Sequence, residues 1–312
     1  MALKFLIIIS LFIAVAAFAE TAAVSPAAAD NKQQTQAAEQ FPDFSDYETP
    51  PPAVFHNPPS WMLIADPVIL TLLLGLGAWM LGRGKSRVFI SLPLAAGLLY
   101  FGFIKHGCIC PVGATGNIVA SLTHRDLSTA ATSIFMFFIP VVFALFAGRV
   151  FCGTVCPLGA VQEFIAVKPL KVPGRIDWYL QFIKYALLLL TIVFAVKYAS
   201  SFICRYDPFV TLFRFSGHPG MWIFTGAFLL LCVFVKRPFC RYFCPYGVVL
   251  AAFAWVSFRN RRIEQSLCVS CKKCEAVCPV DCVKPPEVAN AGCVSCGACA
   301  AACPRKAISY RK

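Results

Sequence analysis

Five runs of nearly continuous apolar residues, at about 61–81, 88–105, 131–148, 178–197 and 220–236, constrain this chain more than any other feature. Each is close to the ~20 residues a helix needs to cross ~30 Å of hydrocarbon. Inside hydrocarbon every backbone N–H and C=O must be satisfied within the protein, which leaves the helix as the way for such a run to cross. With 59% hydrophobic residues in a chain of 312, a water-soluble domain is excluded. The expected fold is an all-α polytopic membrane bundle of about five transmembrane helices over residues 61–260, with a separate domain at 261–312. A sixth apolar stretch, Val248 to Phe258, is too short to cross and reads as an interfacial or re-entrant helix.

Ahead of the bundle, Phe5 to Ala19 is an apolar block behind Lys4 that ends in Ala17-Phe18-Ala19, a small-x-small cleavage pattern. Residues 1–19 read as a signal peptide, with an uncleaved anchor as the alternative; either leaves residues 20–60 on the outer side. That segment, rich in Ala, Gln and Pro, reads as a periplasmic linker in which His56 is solvated.

The formal net charge of +13 does not point to nucleic acid, because the Lys and Arg sit at the ends of the apolar runs, where they anchor helices and set orientation. Arg83, Lys85 and Arg87 share one short loop; Arg149, Lys168, Lys171 and Arg175 lie in the next on that side; Lys236, Arg237, Arg241, Arg259, Arg261 and Arg262 come after them. By the positive-inside rule these segments face the cytoplasm. Lys105, Arg125, Arg205 and Arg214 fall in outer loops. An outside start and five crossings also leave residues 261–312 inside.

That last segment holds two complete ligand runs: Cys268-x2-Cys271-x2-Cys274-x3-Cys278-Pro279 and Cys293-x2-Cys296-x2-Cys299-x3-Cys303-Pro304. In the bacterial ferredoxin pattern three thiolates of a run hold one cubane and the fourth reaches to the other. Cys268, Cys271, Cys274 and Cys303 are therefore expected around one [4Fe–4S] cluster, and Cys278, Cys293, Cys296 and Cys299 around a second, in an α+β two-cluster ferredoxin-like domain. Zinc ribbons also use C-x2-C pairs, but two full halves each closed by Cys-Pro favour iron–sulfur ligation. A reducing compartment disfavours disulfides. Cys282 is surplus to both runs and reads as a small buried residue.

Within the bundle, "RVFCGTVCPLG" (149–159) and "KRPFCRYFCPYG" (236–247) share one skeleton: a basic residue, Phe, Cys, three residues, Cys-Pro, one residue, Gly. Both fall where an apolar run meets the cytoplasmic face. Cys152, Cys156, Cys240 and Cys244 thus supply four thiolates at one depth, enough for a further iron–sulfur centre. The alternative is free thiols at helix ends, or a docking surface whose Pro and Gly only end the helices. The outer side carries Cys108-x-Cys110-Pro and Cys204-Arg-Tyr-Asp207. Cys108, Cys110 and Cys204 could hold another metal centre with a fourth ligand from Asp207, His106 or His218, or two of them could form a disulfide. Asp66 and Asp177 read as helix-end residues, and the many Phe as lipid-facing or packing groups.

Paired C-x3-C-P-x-G corners, the first continuing as "AVQEF", followed by an eight-cysteine tail, resemble the NapH/NosR family of membrane iron–sulfur proteins over roughly Thr132 to Lys312. The resemblance implies a quinol-dehydrogenase-type relay in the bacterial inner membrane, moving electrons between quinone and periplasmic redox partners such as a cytochrome or flavoprotein. The segment before the first crossing is too short for the flavin-binding domain some members carry, so any flavin would come from a partner chain. Quinol oxidation needs a proton acceptor near the interface, and Glu163, beside Gln162 just after the first corner, fits that position. The rival reading is an assembly factor that reduces or delivers metal during maturation of an oxidase, since polyferredoxins of that type also carry C-x3-C-P corners; a membrane subunit that only regulates or docks a partner is the third.

Overall fold

Helices follow the apolar runs. The computed structural model describes residues 60–84, 87–105, 111–124, 130–167, 172–198, 207–215 and 218–311. The expected signal peptide, His56, His106, Cys108, Cys110 and Cys204 lie outside these residues, as does all but the last residue of the expected linker. Helix α1 (Ser60–Gly82) leads to α2 (Arg87–Gly97), which continues as a π-helical turn, Leu98–Ile104. Then come α3 (Pro111–His124), α4 (Ala130–Ala147), the short α5 (Val150–Thr154), α6 (Pro157–Ile165) and the long α7 (Gly174–Tyr198). After α8 (Pro208–Arg214) and α9 (Pro219–Phe234), a second π-helical turn, Phe239–Phe243, leads into α10 (Pro245–Trp255).

Three segments are long and apolar enough to cross a membrane: Ile64–Gly82, Arg87–Ile104 and Gly174–Lys197. The bent pair α8 and α9 makes a fourth if counted as one span, while Ser133–Ala147 and Pro245–Trp255 are apolar but shorter. The run near 131–148 stops early because Gly148 sits in the left-handed region (φ 66°), where its N–H closes on Ala144 O at 3.0 Å and the chain turns away. The stretch from Val248 does form a short helix, α10.

The bundle core is built from Leu70, Leu74, Phe101, Val150, Phe209 and Leu250, and Cys152 and Cys156 belong to the same cluster. Large apolar side chains also cover the outside: Leu72, Val88, Leu92, Phe135, Phe146, Leu189 and Ile223 are all exposed. An apolar exterior of this extent is suited to lipid rather than water. The Phe residues divide between the two, with Phe151, Phe213 and Phe239 buried and Phe138, Phe164 and Phe182 exposed.

The cysteine-rich tail is α+β. Strand β1 (Asn260–Ile263) pairs antiparallel with β4 (Ile308–Arg311), in the register Asn260↔Arg311 to Ile263↔Ile308. Strand β2 (Val283–Lys284) pairs with β3 (Glu287–Val288). Helix α11 (Lys273–Val277) carries Cys274, and α12 (Ala298–Ala302) carries Cys299. The two halves bend their backbone alike. Ser270 and Lys272 in the first run, and Ser295 and Gly297 in the second, have positive φ at the same two positions. These paired kinks curl each C-x2-C-x2-C loop so that its thiols can face a common centre. Ala65–Lys312 forms one compact unit holding both helices and tail; of the other unit, Met1–Ile64, only Ser60–Ile64 are described.

Candidate metal centres

Each half of the repeated corner motif builds the same local structure. Cys152 lies in α5 and Cys240 in the second π-helical turn; Cys156 and Cys244 are the N-caps of α6 and α10 (φ −60° and −77°), with Pro157 and Pro245 at the first helical position. Proline suits that position because its fixed φ is helical and its missing N–H is not needed there. The motif glycine is steric: a Cβ on Gly159 would sit 2.9 Å from Cys152 O, and one on Gly247 3.0 Å from Arg149 Nη2. Gly247 N donates to Cys244 Sγ at 3.2 Å.

Folding brings the two corners together around one pocket, lined by all four of Cys152, Cys156, Cys240 and Cys244 with Arg149 and Tyr246. Arg149 and Arg237, each three residues before the first cysteine of its motif, turn inward and are only 5% and 1% exposed. They differ in this from solvated topological anchors. Arg237 Nη1 donates to Cys152 O at 2.7 Å, and Arg149 Nη2 approaches Cys152 Sγ at 3.9 Å. Gln162, fully buried, accepts from Phe239 N (2.9 Å) and points Nε2 at Cys240 Sγ (3.7 Å).

The tail forms two more such pockets. One is lined by Cys268, Cys271, Cys274 and Cys303; the other by Cys278, Cys293, Cys296 and Cys299, together with Cys282 and Arg261. Burial pushes the Cys299 thiol up to about 12. Hydrogen bonding from Cys282 draws Cys278 and Cys293 down to about 6, and the same bonds raise Cys282. At Arg261 burial works against the charge, and the Cys299, Cys293 and Cys296 sulfurs beside it more than reverse that, so its pKa is raised.

The donor sets fit iron–sulfur clusters. Among the described residues, no three His, Cys, Asp or Glu side chains form a site for a single metal ion; the sulfurs stand around a space, as a cubane requires. A cubane held by four thiolates is anionic, and two of the pockets carry a buried cation with a spare donor. Arg149 Nε and Arg261 Nε are buried without a hydrogen-bond partner among the described residues.

The bundle and tail meet between two of these pockets. A Cβ on Gly153, next to Cys152, would lie 2.4 Å from Val294 O and 2.8 Å from Ser295 O, both within the Cys293–Cys296 loop. Arg149 Nη1 reaches Gly292 O (3.4 Å) and Ala291 O (3.5 Å), Phe258 N donates to Leu145 O (2.9 Å), and Tyr310 OH donates to Ala147 O. Arg241 bridges Asp177 in α7 (2.7 Å) and Asp281 in the tail (3.7 Å). Asp177 also accepts from Tyr242 OH (2.6 Å) and is buried, so it does more than end a helix. Asp66, likewise buried, pairs with Lys105 (2.9 Å) and accepts from Tyr100 OH (2.8 Å).

Glu163 is held in two ion pairs, with Arg87 and with Arg237 (2.9 Å). It lines an open cavity of about 440 Å³ together with Lys236 of the bundle and Val277 and Ala298 of the tail. Asp207 caps α8 through Phe209 N (2.9 Å), ahead of Pro208, in the same N-cap-plus-proline arrangement as Cys156 and Cys244. His218 caps α9 through Gly220 N (3.3 Å). Arg149, Arg237, Gln162 and Arg261 were not legible as site residues. The available signal was the basic residue fixed three positions before the first cysteine in both corners.

A family model described as a 4Fe-4S binding domain matches residues 129–175 and 217–264, and each matched segment contains one corner. An uncharacterized protein of Methanocaldococcus jannaschii is 29% identical over 63% of this chain and 83% of its own length. YccM of Escherichia coli, provisionally named an electron transport protein, is 29% identical over 54% of this chain and 52% of its own. The ferredoxin-type protein NapH of Haemophilus influenzae is 27% identical over 51% and 57%. Proteins named NirI, NosR and MauN also match, NirI and NosR over less than a third of their length. No solved structure matches the chain. The matched 4Fe-4S domain and the relatives named NapH, NirI, NosR and MauN support a place for the chain beside the NapH/NosR-like membrane 4Fe-4S proteins.

Proposed function

We propose that the protein is a membrane electron-transfer subunit that relays single electrons between the quinone pool, or a cytoplasmic donor, and periplasmic redox partners. The observation that carries this is the series of three cysteine-lined pockets, with Gly153 of the corner pair seated on the Cys293–Cys296 loop of the tail. When bound, [4Fe–4S] clusters supply one-electron chemistry at potentials set by their surroundings. In this reading Cys268, Cys271, Cys274 and Cys303 hold one cluster, Cys278, Cys293, Cys296 and Cys299 a second, and Cys152, Cys156, Cys240 and Cys244 a third.

The surrounding residues have separate tasks. Arg149 and Arg261 offset thiolate charge where water is excluded, and hydrogen bonds to sulfur, as from Gln162, favour the more negative reduced state. Arg237 locks the corners to each other, and Glu163, facing the cavity between bundle and tail, is the proton acceptor for a quinol head group. The chain crosses the membrane five times with the tail in the cytoplasm. On the outer side, Cys108, Cys110 and Cys204 hold a metal, with Asp207 available as a fourth ligand, or close a disulfide.

The test is anaerobic purification, an iron count and EPR of the reduced protein. About twelve irons per chain with three interacting signals, bleached rapidly by a quinol, is the expected result. About eight irons removes the corner centre from the relay. Reduction of added copper with no quinol response would move the protein to the maturation reading.

A further inference from the structure

The second tail pocket contains five cysteines where a cubane needs four. Cys282 lines it with Cys278, Cys293, Cys296 and Cys299. Its Sγ is 3.6 Å from Cys278 Sγ, within hydrogen-bonding reach of that sulfur. The position is fixed rather than incidental. Cys282 is 7% exposed and immediately precedes β2; its carbonyl accepts from Ala289 N at 2.8 Å, and Gly292 leaves room over it, since a Cβ there would be 3.4 Å from Cys282 Cβ. A second feature marks the pocket as built for an anion: Arg261, 5% exposed, lines it with Nε unpartnered among the described residues. The first tail pocket holds only its four cysteines, so the fifth sulfur makes the two halves chemically unequal.

We propose that Cys282 is a fifth, functional cysteine of the second cluster site, a thiol that hydrogen-bonds the Cys278 sulfur and serves as the reserve ligand when Cys278 is lost. This rests on iron–sulfur ligation by the tail. A thiol hydrogen bond to a ligating sulfur stabilises the more negative, reduced state, so it raises the potential of this cluster relative to its neighbour in the first pocket. In the ligand exchange the iron–sulfur bond to Cys278 breaks and one to Cys282 forms, and the Cys282 thiol proton passes to the released Cys278 sulfur 3.6 Å away. No electron is gained or lost.

The test uses the full-length protein, purified without oxygen, with an iron count and redox-poised EPR of the wild type, Cys278→Ala, Cys282→Ala and the double variant. Retention of wild-type iron by Cys278→Ala, with an altered signal, and loss of about four irons only in the double variant is the expected pattern. Cys282→Ala alone should keep its iron and move one signal to lower potential. If Cys278→Ala loses as much iron as the double variant, Cys282 is not a ligand in waiting. If Cys282→Ala leaves every potential unchanged, its hydrogen bond does not act on the cluster. The signal from the first pocket reports that the tail is folded throughout, and a wild type without iron–sulfur signals would instead sink the electron-transfer reading.

Discussion

Arg237 Nη1 donates to the carbonyl oxygen of Cys152 at 2.7 Å, although 85 residues separate them. The arginine precedes Cys240 by three residues, so a side chain from the second corner clamps the backbone of the first. Its Nε is committed to Glu163 at 2.9 Å. Two motifs far apart in sequence thus become one site through a buried guanidinium.

Removing that clamp should be costly. Arg237→Met leaves Glu163 with only its Arg87 partner and Cys152 O without this donor, and truncating one member of a buried pair costs about 3–5 kcal/mol. We expect a lower thermal midpoint in detergent and loss of corner iron. Arg237→Lys keeps the charge but cannot reach both acceptors as a fork does, so it should recover only part of the loss.

Replacing Cys152 and Cys240 together by Ser should lower the iron content from about twelve to about eight per chain. The tail signals should persist. Unchanged iron would mean that the corner thiols bind none.

Gly153→Ala places a methyl group 2.4 Å from Val294 O, where backbone rather than a flexible side chain must yield. Overpacking of this kind costs about 1–3 kcal/mol. We expect full iron content with weakened magnetic interaction between the corner and tail signals, and slower oxidation of the tail by a partner on the bundle side.

Reporter fusions test the topology. Fusions after Lys312 and at 85–86 should report the cytoplasm, and one at 125–129 the periplasm. A periplasmic signal from the C-terminal fusion would overturn the five-crossing arrangement.

Much of this was legible in sequence because its causes are local. An apolar run such as that of α1 can only be a helix in lipid, and the two Cys-rich runs prescribe their own kinks, with Ser270 and Lys272 bending as Ser295 and Gly297 do. The Pro and Gly of the corners, by contrast, do not only end helices: Cys156 and Cys244 are the N-caps that start α6 and α10. What tertiary structure decided is what those pieces face. Whether Arg149 and Arg237 meet water or a thiolate pocket depends on burial between helices distant in sequence, and spacing carries no record of that. The same holds for Glu163, whose two guanidinium partners come from other segments. Local chemistry determined which residues could bind metal; only long-range packing determined which cations and donors surround them, because electrostatic and hydrogen-bond partners are selected by distance in space.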